Sequence, residues 1–374
     1  MSPVTARSVA VGPVLLAARG LVRARTRRWR PYSRLFAVGD RGGWSVDEDA
    51  QHVTAAAGRL GLPTAPPGWA RYADRQALFL TSHFDALTLR WLGSSHRLGL
   101  AYMHGRPGTD GAPEFDDAFD ALRRHVDRIA RIQVTHPEMH ELVLGAGVPN
   151  ERVHTIPLGI DLEHFPLGGD EARARARDQL GVPRSAFAVG SFQKDGVGWG
   201  EGLEPKLVKG PDVLLAALRG LRDAIPELFV LLTGPARGFV RRGLERTGIP
   251  YLHVNARSRA ELARAYHALD AYVVASRQEG GPKAVLESLA TGAPLVSTRV
   301  GQAPDVVADG VTGLLVDVGD DEALAAALVR LRDDPALGAG FRAAGRDTAE
   351  NYAHERLDPL WAALLEGFVT RPAA

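Results

Sequence analysis

Cysteine is absent from the chain, which excludes disulfides, thiolate metal sites and a thiol nucleophile. A cysteine-free composition fits a reducing compartment, so the expected location is the cytoplasm. Strong net charge is also missing. The formal charge is +1, and nothing global predicts a nucleic-acid partner. There is no long apolar run. The stretch at residues 9–22 is interrupted by Gly12, Pro13 and Arg19 and falls short of the about 20 apolar residues that span a bilayer. No repeat of 20–50 residues is evident. Acidic residues are missing from positions 1–39, where eight arginines stand (7, 19, 23, 25, 27, 28, 30 and 34). They lie mainly after the apolar stretch, the wrong side for a signal peptide. Two readings of residues 1–30 stay open. One is a helix lying on an anionic membrane, which would make the protein peripheral on the inner face of the cytoplasmic membrane. The other is a disordered basic leader or a mis-assigned start codon.

What is present is an ordinary globular composition, with 45% hydrophobic and 24% charged residues over 374 positions. That length accommodates two domains with full cores. The chemistry concentrates in residues 276–287. The apolar run Ala271-Tyr-Val-Val-Ala275 reads as a buried strand. Residues 284–290 read as a helix, and Pro282 suits its first turn because the missing N–H is not needed there. Between them Gly280 and Gly281 leave no side chain to block a ligand. Free backbone N–H groups and partial positive charge at the helix start suit a phosphate. Glu279 and Glu287 frame this turn, and carboxylates accept hydrogen bonds from vicinal hydroxyls. Taken alone, an acidic residue at a helix start needs only the dipole, worth roughly 0.3–1 kcal/mol.

The rest of the chain supplies companions. Residues 34–40 read as a first strand, followed by Gly42, Gly43 and a helix from Asp47 to about Leu60, where Asp47-Glu-Asp49 starts the helix. A tight turn explains the two glycines as well as a ligand does. His83 and His104 each follow a strand, at the edge where open α/β sheets bind ligands. Residues 192–210 form a long loop with glycines at 196, 198, 200 and 202 and lysines at 194, 206 and 209. Loops of this length inside a compact domain are uncommon and often functional. No full dinucleotide fingerprint opens either half, which disfavours a two-domain dehydrogenase.

The run Glu-Gly-Gly-Pro-Lys-Ala-Val-Leu-Glu287, followed by Ala290-Thr-Gly-Ala-Pro-Leu-Val-Ser-Thr-Arg-Val-Gly301, resembles the donor site of family 4 (group 1) retaining glycosyltransferases. The segments His104-Gly-Arg-Pro and Lys209-Gly-Pro-Asp, and residues 148–165 leading to a linker, resemble that family too. The resemblance implies an α/β chain of GT-B fold, with two Rossmann-like doubly wound domains facing a cleft. Residues 31–166 would be the acceptor domain and 167–350 the nucleotide-sugar domain, with 351–374 a helix returning to the first. It implies a nucleotide-diphosphate sugar as donor and a hydroxyl acceptor, glycan or lipid-linked. Lys209 would meet the donor diphosphate, with Lys194 or Lys206 beside it. Gly42, Gly43, Gly280, Gly281 and Pro282 would line the donor site, Glu287 would hold the ribose, and His104 and Glu279 would face the donor sugar. Asn255 and Arg257 fall where the base is commonly held, and His83 and Arg106 fall on the acceptor side. No cofactor or metal is implied. Two departures stand out: Ser191 and Phe192 replace the family's usual arginine, and Gln302-Ala-Pro-Asp305 differs from its usual glycine, proline and glutamate. Alternatives remain: a degenerate GT-B protein that binds nucleotide or glycan without turnover, or a GT-B sugar epimerase or phosphorylase.

Overall fold

The computed structural model describes residues 20–40 and 45–371. Gly42 and Gly43 lie outside that range, as do residues 1–19 of the basic segment. Five parallel strands form the first lobe: β1 (Leu35–Val38), β2 (Ala77–Leu80), β3 (Arg97–Ala101), β4 (Ile129–Val134) and β5 (Val153–Thr155). They pair in sequential order, with helices on both faces. The second lobe holds β6 (Phe187–Ser191), β7 (Leu228–Thr233), β8 (Tyr251–Val254), β9 (Ala271–Val274), β10 (Leu295–Thr298) and β11 (Leu314–Val316). Its order is β11-β10-β9-β6-β7-β8, so the winding reverses between β6 and β9. Ligands of open α/β sheets bind at such a reversal, beyond the carboxyl ends of the strands.

Both sheets are buried on two sides, which is why their strands read as continuous apolar runs. All four residues of β9 are buried, as are all four of β1. Strand β10 was not evident in the sequence, where Pro294 precedes two polar residues, yet Ser297 and Thr298 are fully buried. The helix Gly238–Thr247 was also not expected, because it carries two glycines of low helix propensity. Gly243 is required there by packing: a Cβ would stand 2.3 Å from the Leu215 side chain.

The chain ends as the GT-B resemblance implied. Helix Pro335–Asn351 packs on helix Lys283–Thr291 of the second lobe. The chain then crosses to the first lobe, where helix Asp358–Leu365 lies against helix Ser45–Arg59. Trp361, Leu364 and Phe368 complete the core under β1 and β2, and Arg59 grips Asp358 through two 2.7 Å bonds. Residues 20–26 are helical, and Trp29 stacks on Trp69 at 6.2 Å. This part of the basic segment is docked on the first lobe. No helix of the described residues is long and apolar enough to cross a membrane.

Candidate functional site

The second lobe's reversal point is where the predicted residues meet. Ser276 follows β9 and is fully buried. Its hydroxyl lies 2.8 Å from Glu279 Oε1 and 2.9 Å from Oε1 of Gln193, which follows β6. One hydroxyl therefore bridges the two strands that flank the reversal. Lys209 Nζ donates to the same Glu279 oxygen at 2.6 Å. Arg277 N and Gln278 N both donate to Val208 O, and Arg277 forks onto Asp212 with two 2.7 Å bonds. The lysine loop and the glycine loop are thus one unit.

Two helices begin at this unit, Pro211–Leu221 and Lys283–Thr291, and neither has a side-chain cap. Their N-terminal N–H groups and dipoles make the pair suited to an anion. Pro282 sits just before its helix, as the N-cap, rather than inside the first turn. Gly210 is held at φ +62°, and a Cβ there would stand 1.9 Å from Ala275 O. Gly210→Ala is therefore expected to cost about 1–3 kcal/mol of stability, read from denaturant melts. An unchanged midpoint would refute the close approach.

The three lysines converge. Lys206 is pushed below the ordinary lysine value by burial first, then by the like charges of Lys209 and Lys194. Lys194 is lowered by burial, and its ammonium sits 4.0 Å from the centre of the Trp199 ring. From the first lobe His104 faces this cluster. Burial, then Lys209, push its imidazole down to about 4, while Glu279 pulls it up. It is neutral at pH 7. Its ring is walled edge-on by His83 (5.5 Å) and Phe115 (5.7 Å), with Phe84 at 5.9 Å. Between pH 6.5 and about 4 the unfolded histidine binds the proton that the folded one refuses. Stability therefore falls as pH drops through that window. His104→Gln is expected to melt with a shallower pH dependence there, and identical slopes would overturn the assignment.

His83 stands behind His104 rather than at the cleft wall. It is 2% exposed, stacks on Tyr102 at 4.3 Å, and is held well below the usual histidine value by burial and His104. Arg106 pairs with Glu138, the acidic neighbour that competes with any acceptor role. Its backbone N–H donates 3.1 Å to Gln278 Oε1 across the lobes. Glu287 accepts 2.8 Å from the Tyr266 hydroxyl, and burial raises its carboxyl above the usual value despite that bond. Asn255 and Arg257 lie exposed after edge strand β8, and Arg257 N donates 2.7 Å to Glu261.

In the direction a side chain would take, both glycines meet protein. A Cβ on Gly280 would stand 2.5 Å from Met103 of the first lobe, and one on Gly281 would stand 2.7 Å from the Gln302 side chain. Their small size thus makes room for Met103 and Gln302 in the side-chain direction at this point. Thr135 Oγ1 donates 2.6 Å to Gly280 O. Gln302, buried at a position noted only as a departure, accepts 2.7 Å from Leu158 N and donates its own N–H to Gly280 O at 3.2 Å. The acidic start of helix Ser45–Arg59 also faces the second lobe. Lys283 pairs with Asp49 at 2.8 Å and Glu48 at 3.4 Å, and Arg259 reaches Glu48 at 3.2 Å. Ser276, Gln193, Thr135 and Gln302 were missed in the sequence. Buried serines and glutamines carry no local signal, and only the fold brings them here. Gln193 Nε2 is buried with no partner among the described residues, a donor facing the same unit.

Two facing α/β lobes with the donor-type unit at the second lobe's reversal point define the GT-B architecture. The Anabaena protein HepE, solved with UDP and glucose, has the same architecture with a TM-score of 0.70. It is 16% identical, over 90% of this chain and 99% of that one. Sucrose-phosphate synthase from Thermosynechococcus elongatus superposes with a TM-score of 0.63 at 22% identity, over 78% of this chain and 73% of that one. Residues 200–334 match the family model described as glycosyl transferases group 1. D-inositol 3-phosphate glycosyltransferase 1 of Catenulispora acidiphila is 32% identical over 322 residues, 79% of this chain and 72% of that one. The Corynebacterium glutamicum D-inositol 3-phosphate glycosyltransferase is also 32% identical, over 67% of this chain and 60% of that one. The chain belongs to the group 1 glycosyltransferases. It is an enzyme, a glycosyltransferase.

Proposed function

We propose that the chain is a retaining glycosyltransferase that moves a sugar from a nucleoside-diphosphate sugar to an acceptor hydroxyl, in glycan or glycolipid synthesis. The convergence of Lys209, Glu279, His104 and two uncapped helix starts at one point carries this reading. In the reaction the bond from the anomeric carbon to the diphosphate oxygen breaks, and a bond from the acceptor oxygen forms on the same face. The acceptor's proton passes to the departing diphosphate. Negative charge grows on that leaving group, so preorganised donors there speed the step. Lys209, with Lys206 and Lys194, and the helix N–H groups supply them without a metal ion. Glu279 orients the sugar hydroxyls, and neutral His104 accepts or donates one hydrogen bond to the sugar. Glu287, steadied by Tyr266, takes the ribose, and Asn255 and Arg257 flank the base. UDP, present in the HepE complex, is the first nucleotide to try.

For the acceptor, the relatives' printed names point to a phosphorylated cyclitol as the first compound to test. Arg106 on the first lobe is the cation that would meet it on release from Glu138. The exposed arginines 23, 27 and 28, in the docked basic helix and the turn after it, are suited to peripheral contact with an anionic membrane, on the cytoplasmic side. Degenerate binding without turnover is the second reading, favoured by the absence of the usual arginine at Ser191-Phe192.

The test is a panel of nucleotide sugars, with release of nucleoside diphosphate as the readout. One donor is expected to be consumed, and Glu279→Gln is expected to slow that by about two orders of magnitude. If no donor is consumed with any acceptor while calorimetry still shows binding, the degenerate reading stands instead.

A further inference from the structure

Far from the cleft, at the N-terminal edge of the first sheet, lies a cavity of about 360 Å³. Its wall carries four arginines from separate segments: Arg97 opening β3, Arg128 before β4, Arg131 within β4, and Arg152 before β5. Strands rise about 3.3 Å per residue, so β4 sets this cavity roughly 20 Å from the cleft. None of the four makes an ion pair among the described residues, and Asp127, the acid on the wall, pairs with none of them. They bond backbone carbonyls only. Arg97 holds Phe368 O at 3.0 Å, and Arg131 holds Leu364 O and Glu366 O at 3.2 and 3.1 Å. Arg128 holds Leu92 O and Ser94 O at 2.9 and 2.8 Å, and Arg152 holds Val126 O and Ile129 O at 3.3 and 3.2 Å.

Anchoring the returning tail explains the carbonyl bonds of Arg97 and Arg131. It does not explain Arg128 and Arg152, whose hydrogen bonds go to Leu92, Ser94, Val126 and Ile129 and not to that tail. Nor do carbonyls neutralise charge. Arg131 is lowered by burial and then by the like charges of Arg97 and Arg152. Nε and Nη2 of Arg97 and Arg152, and Nη1 of Arg128, remain uncommitted among the described residues. Guanidinium forks of this kind match phosphate oxygens in pairs. Tyr32, its ring 4.1 Å from the Arg97 guanidinium, closes one side and joins the cavity to the docked basic helix.

We propose that this cavity binds the phosphate of a phosphoester, either a soluble one or the headgroup of a phospholipid. The site is separate from the donor cleft and does not rest on its assignment. The test uses the full-length protein with two kinds of probe: glycerol 3-phosphate by calorimetry, and vesicles of phosphatidylcholine with or without phosphatidic acid by flotation. Arg128→Gln/Arg152→Gln is expected to weaken the productive probe about tenfold or more, whereas Lys209→Ala leaves it within twofold. Saturable binding of glycerol 3-phosphate with that pattern assigns a soluble ligand. Binding to phosphatidate vesicles alone assigns a lipid, provided the cavity variant loses it and Arg219→Gln/Arg222→Gln, two exposed arginines of the second lobe with equal loss of charge, does not. No binding in either arm overturns the proposal, as does equal binding by wild type and cavity variant. Should the double variant melt non-cooperatively, exposed Arg128 alone, as Arg128→Gln against Arg128→Lys, gives the same comparison.

Discussion

Lys209→Ala is expected to lower kcat/KM by about 10²–10³, or roughly 2.7–4 kcal/mol of transition-state stabilisation, the loss typical of removing one preorganised donor from a developing anion. Lys209 is placed by three separate constraints: the positive φ of Gly210, the bonds from Arg277 and Gln278 to Val208 O, and its own 2.6 Å contact with Glu279. The truncation leaves Glu279 with Ser276 as its remaining partner at this oxygen. The carboxylate is 11% exposed, so part of the effect will be an uncompensated charge. Lys209→Ala/Glu279→Gln separates the two contributions. The double variant should regain the melting temperature and not the rate. A single variant that keeps its rate within tenfold would sink the assignment of Lys209 to the leaving group.

Arg237→Met is expected to destabilise the second lobe by about 3–5 kcal/mol, because it strands a buried carboxylate. Arg237 is almost fully buried. Its Nε and Nη2 meet the two oxygens of Asp195 at 3.0 and 2.9 Å, and Nη1 donates to Thr233 O at 2.9 Å and to Ser191 O. Burial raises the Asp195 carboxyl even with Arg237 opposing, so desolvation wins and the pair is costly to break. Arg237→Met/Asp195→Leu should recover most of the loss in denaturant midpoint. Equal midpoints for Arg237→Met and wild type would show that the pair contributes nothing. This guanidinium is spent inside the lobe, pinning the ends of β6 and β7 to the loop after β6. It is not available to stand in for the family's arginine at the phosphates, the role the proposed function gives to the lysines of that loop.

The parts of the site legible in the sequence are the local ones. Strand, glycines and helix at residues 271–291, and Lys209 before Pro211, are each set by a few adjacent residues, and they fold as expected. His104 after β3 belongs to the same class. What depends on two lobes meeting was not legible. Gly280 is small because Met103 comes within reach from a segment more than 170 positions earlier, and no local pattern encodes that. Glu48 and Asp49 do start their helix, as expected, and they also face Lys283 and Arg259. Arg237 is one of many arginines in an arginine-rich chain, and nothing adjacent marks it as buried. Strand β10 was hidden because burial of Ser297 and Thr298 breaks the link between polarity and exposure.

The chain passes between the lobes twice, and the two passages are tied to each other. Ile160 N donates 2.9 Å to Tyr352 O, and His354 N returns a bond to Ile160 O at 3.3 Å. Gly159 makes room for the His354 ring, where a Cβ would stand 2.5 Å from Nδ1. Both bonds fall on Ile160, so the two crossings are fastened to each other at one place on the border of the lobes. A lobe that turned against the other about this fastening would part the Gly280–Met103 seam and the ion pairs of Lys283 with the first lobe together.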